Sequence, residues 1–184
     1  MKVGREPAMA PRQSADTTPY ELYIMRHGIA EERGPAYPDD GERPLTPDGK
    51  KKLREAAQGL VRLGVELDWI VSSPLVRARQ TAEIVEEEMG AHTPLDSCDA
   101  LAPGGEAEAL LKFLGTHADR RRVLVTGHEP DLSALAARLV GAGTRANLAF
   151  KKGGCCLITF EEFPPQSPGS LLWWLTPKVM RKLA

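Results

Sequence analysis

The sequence predicts a single α/β domain in three layers, with a mostly parallel central sheet between helices and an antiparallel hairpin at one edge. Short apolar runs alternate with segments of helical periodicity as far as Gly141, the pattern of β-α units that build a parallel sheet. The last third carries two strand-like runs, Cys155 to Phe160 and Leu171 to Leu175, joined by a turn rich in Pro and Ser. Such a hairpin adds antiparallel edge strands. At 184 residues, 42% of them hydrophobic, the chain has the size and composition of one globular domain.

The first predicted strand is the apolar run from Leu22 to Met25, which leads directly into Arg26-His27-Gly28. Gly28 is expected to allow a sharp turn there. A polar loop over residues 29–45 follows. A helix then begins with Thr46 as its N-cap and Pro47 as its first residue, and Gly64 ends it.

The following segments repeat this alternation of strand and helix. A strand from Leu67 to Val71 ends in Ser72-Ser73-Pro74 and leads into a helix from Val76 to Met89. Further along, the pattern predicts a short edge strand near Thr93 to Ser97, a helix from Glu106 to Leu114, a strand from Arg122 to Thr126, and a helix that carries Leu132, Leu135, Ala136 and Leu139. Residues 1–20 have no apolar periodicity, so we expect a disordered tail before a domain over residues 21–184.

Three predicted strands end in polar residues, namely Arg26-His27, Ser72-Ser73 and Gly127-His128. Ligands of open α/β sheets bind just beyond the carboxyl ends of the strands, so we expect one site there. Helix starts after Pro74 and Pro130 offer free N–H groups, and Arg77 lies in a first helical turn. Two guanidinium groups and two imidazoles suit the binding of a phosphoryl group and chemistry on it. No Gly-rich phosphate loop and no metal-ligand spacing occur, so no cofactor or metal is predicted.

Four ordered blocks of the sequence resemble the histidine phosphatase superfamily, whose fold is phosphoglycerate mutase-like. The blocks are Leu22 to Gly28, Arg43 to Thr46 with Gly49, Ser72 to Ala82, and Val125 to His128. The short chain and its ending Leu172-Trp173-Trp174-Leu175-Thr176-Pro177 are similar to the small branch of SixA-type phosphohistidine phosphatases. The resemblance spans the chain from about Leu22 onward, and four spaced blocks are far more specific than a lone Arg-His-Gly.

The resemblance implies that His27 is the nucleophile and forms a phosphohistidine intermediate. Arg26 and Arg77 would bind the phosphoryl oxygens, and His128 would complete the pocket. The residue types suit these roles, because a neutral imidazole is nucleophilic near pH 7. Guanidinium groups also stabilise the charge that spreads over phosphoryl oxygens. Arg43 matches a family block and either reaches the substrate or holds its loop through an ion pair.

Other polar residues near the predicted site receive more ordinary roles. Ser72 and Ser73 lie in no nucleophile elbow, so we expect them in turns and caps. Larger members of the superfamily carry a carboxylic acid on an inserted segment that protonates the leaving oxygen. Glu31, Glu32 and Glu106 lie near the predicted mouth but fit solvated charges or a helix-start acid better. A missing acid suits a leaving group that departs easily, such as the imidazole of phosphohistidine.

The sequence therefore predicts a metal-independent, cytoplasmic phosphatase that acts through His27 on a histidine-phosphorylated protein, such as a phosphotransfer domain or carrier. One alternative is a phosphatase of small phosphorylated metabolites that uses the same residues. Another is a non-catalytic module that binds phosphorylated proteins, and the presence of all four site residues argues against it.

The formal net charge of −1 and the lack of a long apolar run predict neither nucleic acid nor membrane as a partner. Three cysteines without an even set favour a reducing compartment. The oligomeric state is open, with a monomer favoured.

Overall fold

A computed structural model describes residues 19–90, 92–143 and 146–184. Within these ranges, six strands form one sheet in the order β3-β2-β4-β1-β5-β6. The strands are β1 (Tyr20–Arg26), β2 (Trp69–Ser72), β3 (Leu95–Ser97), β4 (Arg122–Gly127), β5 (Cys155–Phe160) and β6 (Ser170–Leu175). The first four are parallel, and β5 runs antiparallel to both of its neighbours. The predicted parallel sheet with an antiparallel edge hairpin is confirmed.

Helices cover both faces of this sheet. They are α1 (Pro47–Arg62), α2 (Val76–Met89), α3 (Ala107–Gly115), α4 (Asp131–Leu139) and α5 (Pro177–Leu183), with 3-10 turns at Asp40–Glu42 and Asp99–Leu101. Apolar side chains of α1, α2 and α5 form one core with the sheet, and those of α3 and α4 form the other. None of the helices in the described ranges is both long and apolar enough to cross a bilayer.

Strand β1 shows why the central strands read as unbroken apolar runs. Leu22 and Ile24 pack into the core on the side of α3 and α4, whereas Tyr23 and Met25 pack into the core on the other side. All four side chains are buried. Because successive side chains of a strand point to opposite faces, a strand that is covered on both faces needs apolar residues at every position.

The start of α1 brings the loop after β1 close to the helix. Thr46 caps α1, since its hydroxyl accepts from the Gly49 N–H at 2.9 Å. A Cβ at Gly49 would lie 2.2 Å from the Ile29 carbonyl oxygen, so only glycine permits this approach. The predicted N-cap is confirmed, and Gly64 ends the helix region with a φ of +77°.

Helix α5 was not predicted, and it packs directly on α1. Its one buried side chain is that of Met180. A Cβ at Gly59 of α1 would lie 2.1 Å from the Met180 carbonyl oxygen. Close contact between the two backbones therefore fixes the C-terminal helix.

The predicted tail lies outside the described residues, except for Pro19 and Tyr20. Tyr20 is the first residue of β1 and is buried. Its ring stacks on that of Phe163 with the centroids 4.0 Å apart. The first strand thus begins two residues before the predicted start at Leu22, because an aromatic contact with the C-terminal hairpin region covers this position.

Candidate active site

The strand order brings the three polar strand ends together, because β4 lies between β1 and β2. The His27 N–H, after β1, donates to the Gly127 carbonyl of β4 at 3.1 Å, and the Ser73 N–H, after β2, donates to the Thr126 carbonyl at 2.9 Å. The rings of His27 and His128 have centroids 5.1 Å apart. This geometry agrees with the expectation that the three strand ends form one site.

His27 presents a free ring nitrogen in a fixed orientation. Its Nδ1 lies 2.7 Å from the Gly28 carbonyl oxygen. A carbonyl only accepts, so Nδ1 carries the ring proton and Nε2 keeps its lone pair. Nε2 makes no hydrogen bond with the described residues. The next peptide is fixed as well, because the Gly28 N–H donates to Thr81 Oγ1 at 3.0 Å.

Burial keeps the His27 ring neutral. It lowers the pKa of His27 to about 3. The charges on Arg77 and Arg26, and that of His128 when it is protonated, act in the same direction, while the hydrogen bond to Gly28 opposes them. A neutral imidazole with an unshared electron pair at pH 7 is a competent nucleophile.

Gly28 has a role that differs from the sharp turn predicted for it. It does not adopt a positive φ. A Cβ there would lie 3.2 Å from Leu45 Cδ2. A side chain beside the nucleophile would require Leu45 to shift by a few tenths of an ångström, and no unusual backbone conformation is involved.

Arg77 is buried and is held at one end by a single residue. Its Nη1 donates to the Asp40 carbonyl at 2.7 Å, and its Nη2 donates to Asp40 Oδ2 at 3.0 Å. Its Nε is buried without a hydrogen-bond partner. The guanidinium is therefore anchored by its far edge and keeps its Nε edge free for a ligand.

Arg26 is held in a similar way. Its Nη1 donates to the Phe150 carbonyl at 2.7 Å, and its Nε is buried without a partner. Phe150 is fixed in turn, because its N–H donates to Glu129 Oε1 at 2.9 Å and its ring stacks on Trp174. Glu129 also accepts from the Ser133 hydroxyl. Glu129, which directly follows His128 in the sequence, thus orients Arg26 through the backbone of Phe150.

His128 completes the group. Its Nε2 lies 2.8 Å from Ser73 Oγ, and its Nδ1 is buried without a partner. Burial lowers the pKa of His128 to about 4, and the charge on Arg77 acts in the same direction. Beside His27, then, lie three buried polar nitrogens that lack partners, on Arg26, Arg77 and His128. Unpaired buried groups are costly, at about 1–3 kcal/mol each, and an oxyanion would satisfy donors of this kind.

Arg43 is linked to this group through Asp40, the residue that holds Arg77. Its Nε pairs with Asp40 Oδ1 at 2.7 Å, and its Nη1 donates to the Glu31 carbonyl at 2.6 Å. Arg33 also bonds to the Asp40 carboxylate. Hydrogen bonds from Arg43 and Arg33, with the charge on Arg77, lower the pKa of Asp40 well below its ordinary value. The contacts of Arg43 match the loop-holding alternative.

The sequence did not single out Asp40 or Glu129, and it assigned Ser73 only a turn or cap role. Asp40 was one of five acidic residues in the loop over 29–45, and no spacing distinguished it. Ser73 does take its expected turn contact, since its hydroxyl accepts from the Leu75 N–H at 3.3 Å, but it also bonds to His128. The adjacency of Glu129 to His128 was the one available signal for that residue.

The predicted surface acids take no part in these contacts. Among the described residues, the carboxylates of Glu31, Glu32 and Glu106 form no hydrogen bond with His27, Arg26, Arg77 or His128. Glu32 and Glu106 are exposed. Within the same ranges, no three side chains of His, Cys, Asp or Glu are grouped so that they could hold a metal ion.

Comparisons with known proteins agree with the geometry. Residues 22–102 match the family model of the histidine phosphatase superfamily (branch 1). An uncharacterized protein of Picosynechococcus is 41% identical over 73% of this chain and 81% of its own length. The phosphohistidine phosphatase SixA of Escherichia coli is 28% identical over 85% of this chain and 94% of its own. The solved structure of the protein histidine phosphatase SixA complexed with tungstate is 26% identical, with a TM-score of 0.75, and the match covers 87% of this chain and 99% of that one.

Proposed function

Because this chain belongs to the histidine phosphatase superfamily, its activity is that of a phosphatase, and we propose that its substrate is a phosphohistidine side chain of a partner protein. In this proposal, His27 receives the phosphoryl group and water then releases it as inorganic phosphate. The reaction needs no metal ion. Arg26, Arg77 and His128 bind the phosphoryl oxygens, and Arg43 acts through Asp40 on the position of Arg77.

One observation carries the catalytic part of the proposal. The free Nε2 of His27 is accompanied by buried nitrogens of Arg26, Arg77 and His128 that have no protein partner. Phosphoryl transfer spreads negative charge over three equatorial oxygens. Preorganised donors stabilise that charge at little reorganisation cost, and losing one such donor typically reduces kcat by about 10²–10³.

The proposed chemistry consists of two displacements at phosphorus. In the first, the lone pair on His27 Nε2 forms a bond to phosphorus while the bond from phosphorus to the substrate nitrogen breaks. The leaving imidazole takes the bonding electron pair and departs neutral when its other ring nitrogen carries a proton. In the second, a water oxygen attacks the phosphorus of phospho-His27, one water proton passes to a phosphoryl oxygen, and the bond to Nε2 breaks with its electron pair returning to Nε2. His27 returns to its neutral state and inorganic phosphate leaves.

The carboxylates around the site favour an imidazole leaving group over an alkoxide. Asp40 accepts from Arg33, Arg43 and Arg77, which holds it in its charged form. Glu129 accepts from the Ser133 hydroxyl and the Phe150 N–H. Both carboxylates therefore act as acceptors. An alkoxide leaving group needs a proton from an acid, whereas the imidazole of phosphohistidine does not.

The relatives support the same choice of substrate. SixA of Escherichia coli carries the name phosphohistidine phosphatase, and this chain matches nearly all of its length. The solved SixA holds tungstate, a tetrahedral oxyanion like phosphate.

The test is a side-by-side assay with the wild-type chain, the His27→Ala variant and a His92→Ala control, which removes an exposed histidine. The substrates are a phosphotransfer domain phosphorylated on histidine and a panel of sugar phosphates and nucleoside monophosphates. We expect phosphate release from the phosphohistidine protein, unchanged by chelator and by His92→Ala, and abolished by His27→Ala. Faster turnover of the small esters would move the substrate to metabolites. Loss of activity with chelator would overturn metal independence.

A further inference from the structure

Ser73 and His128 form a buried pair next to the nucleophile. Ser73 and His128 are 0% and 3% exposed, and Ser73 Oγ lies 2.8 Å from His128 Nε2. The same oxygen accepts from the Leu75 N–H at the start of α2, at 3.3 Å. These contacts determine where the hydrogens of the pair lie.

The Ser73 hydroxyl has one hydrogen to donate and two lone pairs to accept with. Within the described residues, the His128 ring nitrogen is the only acceptor in hydrogen-bond contact with this hydroxyl. If the ring donated instead, the hydroxyl hydrogen would be buried without an acceptor, which is the costly arrangement for a polar group. The hydroxyl therefore donates, and Nε2 accepts.

We propose that Ser73 fixes the tautomer of His128 and so holds the ring proton on Nδ1, the nitrogen that donates to a phosphoryl oxygen. The role of that oxygen rests on the proposed function, whereas the tautomer is a property of the resting protein. Because Nε2 is occupied, Nδ1 is the only ring nitrogen left for a ligand, and it is buried without a partner. Ser73 touches no substrate and is a positioning residue.

His27 and His128 then carry the ring proton on the same nitrogen, Nδ1. His27 presents a lone pair to the phosphoryl group, whereas His128 presents a proton. In His27, the proton on Nδ1 is bonded to the Gly28 carbonyl, and the lone pair on Nε2 is free for phosphorus. In His128, the lone pair on Nε2 is bonded to Ser73, and the proton on Nδ1 is free for oxygen. The other tautomer of His128 would present a lone pair to the phosphoryl oxygens and repel them. The low pKa of His128, about 4, keeps the ring neutral and makes its tautomer decisive.

Nitrogen NMR of the chain labelled with ¹⁵N-histidine measures this directly. The His128 signals are assigned by their loss in a His128→Gln variant. We expect the His128 Nδ1 signal of the resting wild type at the shift of a protonated ring nitrogen, and the Nε2 signal at that of an unprotonated one. The reverse pattern would overturn the inference, whatever the activity of the protein.

Variants test the link to ligand binding. We expect Ser73→Ala to abolish the preference for protonated Nδ1, to weaken tungstate binding by about 10-fold, and to lower kcat by about 10- to 100-fold, less than complete loss of an oxyanion donor. Ser73→Thr keeps the hydroxyl and should restore the tautomer. Ser72→Ala is the matched control, because the Ser72 hydroxyl is also buried but donates to the Ser73 carbonyl instead of a histidine.

The outcomes separate this inference from the proposed substrate. If Ser73→Ala keeps the wild-type tautomer and tungstate affinity, Ser73 does not set the ring proton. If the tautomer and tungstate results appear as expected but phosphohistidine is not hydrolysed, the proposed substrate is wrong and the role of Ser73 stands. The wild-type spectrum decides the tautomer even if a variant fails to fold.

Discussion

An exposed histidine gains a proton near pH 6.5, but burial extends the neutral state of His27 and His128 far into the acid range. Their pKa values fall to about 3 and about 4. In the unfolded chain both return to about 6.5. Between these values, the unfolded chain binds protons that the folded chain does not. The free energy of unfolding must therefore decrease as the pH falls below about 6.5.

Replacing His27 by Gln should make the protein less sensitive to acid between pH 6.5 and pH 5. The slope that each buried neutral histidine contributes rises from about 0.7 kcal/mol per pH unit at pH 6.5 toward about 1.4 kcal/mol per pH unit near pH 5, and His27→Gln removes one such group. Urea unfolding at a series of pH values measures the slope. A His92→Gln control removes an exposed histidine and should keep the wild-type slope. An unchanged slope in His27→Gln would show that His27 is not buried in its neutral form.

Asp40 should matter for rate through its contacts with Arg77. We expect Asp40→Asn to lower kcat by about 10-fold, because the three arginines around it lose their ionic partner and the loop that orients Arg77 loosens. Small misplacements at a reacting centre cost up to about 10² in rate. Asp39→Asn is the control, since Asp39 is exposed and caps the Gly41 N–H instead. Equal kcat values for wild type and Asp40→Asn would contradict the assigned role.

The sequence predicts the four site residues more readily than it predicts the residues that orient them. Arg26, His27, Arg77 and His128 follow recognisable strands or begin a recognisable helix, so a local pattern predicts that they lie together. The partners that orient them leave no such pattern. Asp40 meets Arg77 across 37 positions, and Ser73 meets His128 across 55. Only the folded chain makes these contacts.

Among the elements, helices α1 to α4 were predicted from the sequence, and α5 was missed. Thr46 and Pro47 mark the start of α1, and Gly90 ends α2 with a φ of +64°. Helix α5 has seven residues and buries only Met180, too little for an amphipathic pattern. Its position depends on tertiary contact with α1.

Gly59→Ala should destabilise the protein although alanine is the better helix former. At an exposed helical site this change stabilises by about 1 kcal/mol, but here the new Cβ would lie 2.1 Å from the Met180 carbonyl oxygen. Overpacking of this kind costs about 1–3 kcal/mol. Thermal or urea unfolding measures the difference. The control is Gly34→Ala, where a Cβ meets nothing within 4 Å. Stabilisation by Gly59→Ala would contradict the docking of α5.

At the scale of the whole molecule, the sheet order creates the site. Parallel strands direct their carboxyl ends to one edge, so the sequence predicts a shared edge but not which strands are neighbours. The placement of β4 between β1 and β2 comes from long-range pairing, such as that of Ile24 with Val125. With another order, His27 and His128 would lie farther apart than their 5.1 Å ring separation.

In the proposed mechanism the phosphoryl group passes through His27, and trapping it on that residue tests the mechanism. The wild-type chain is mixed with a phosphotransfer domain carrying radiolabelled phosphohistidine, quenched in alkali within the first turnover, and digested for mass spectrometry. We predict label on the peptide that contains His27, appearing and decaying at rates that account for turnover, and none with His27→Ala. Phosphate release without label on His27, or turnover by His27→Ala, would show that His27 is not the nucleophile.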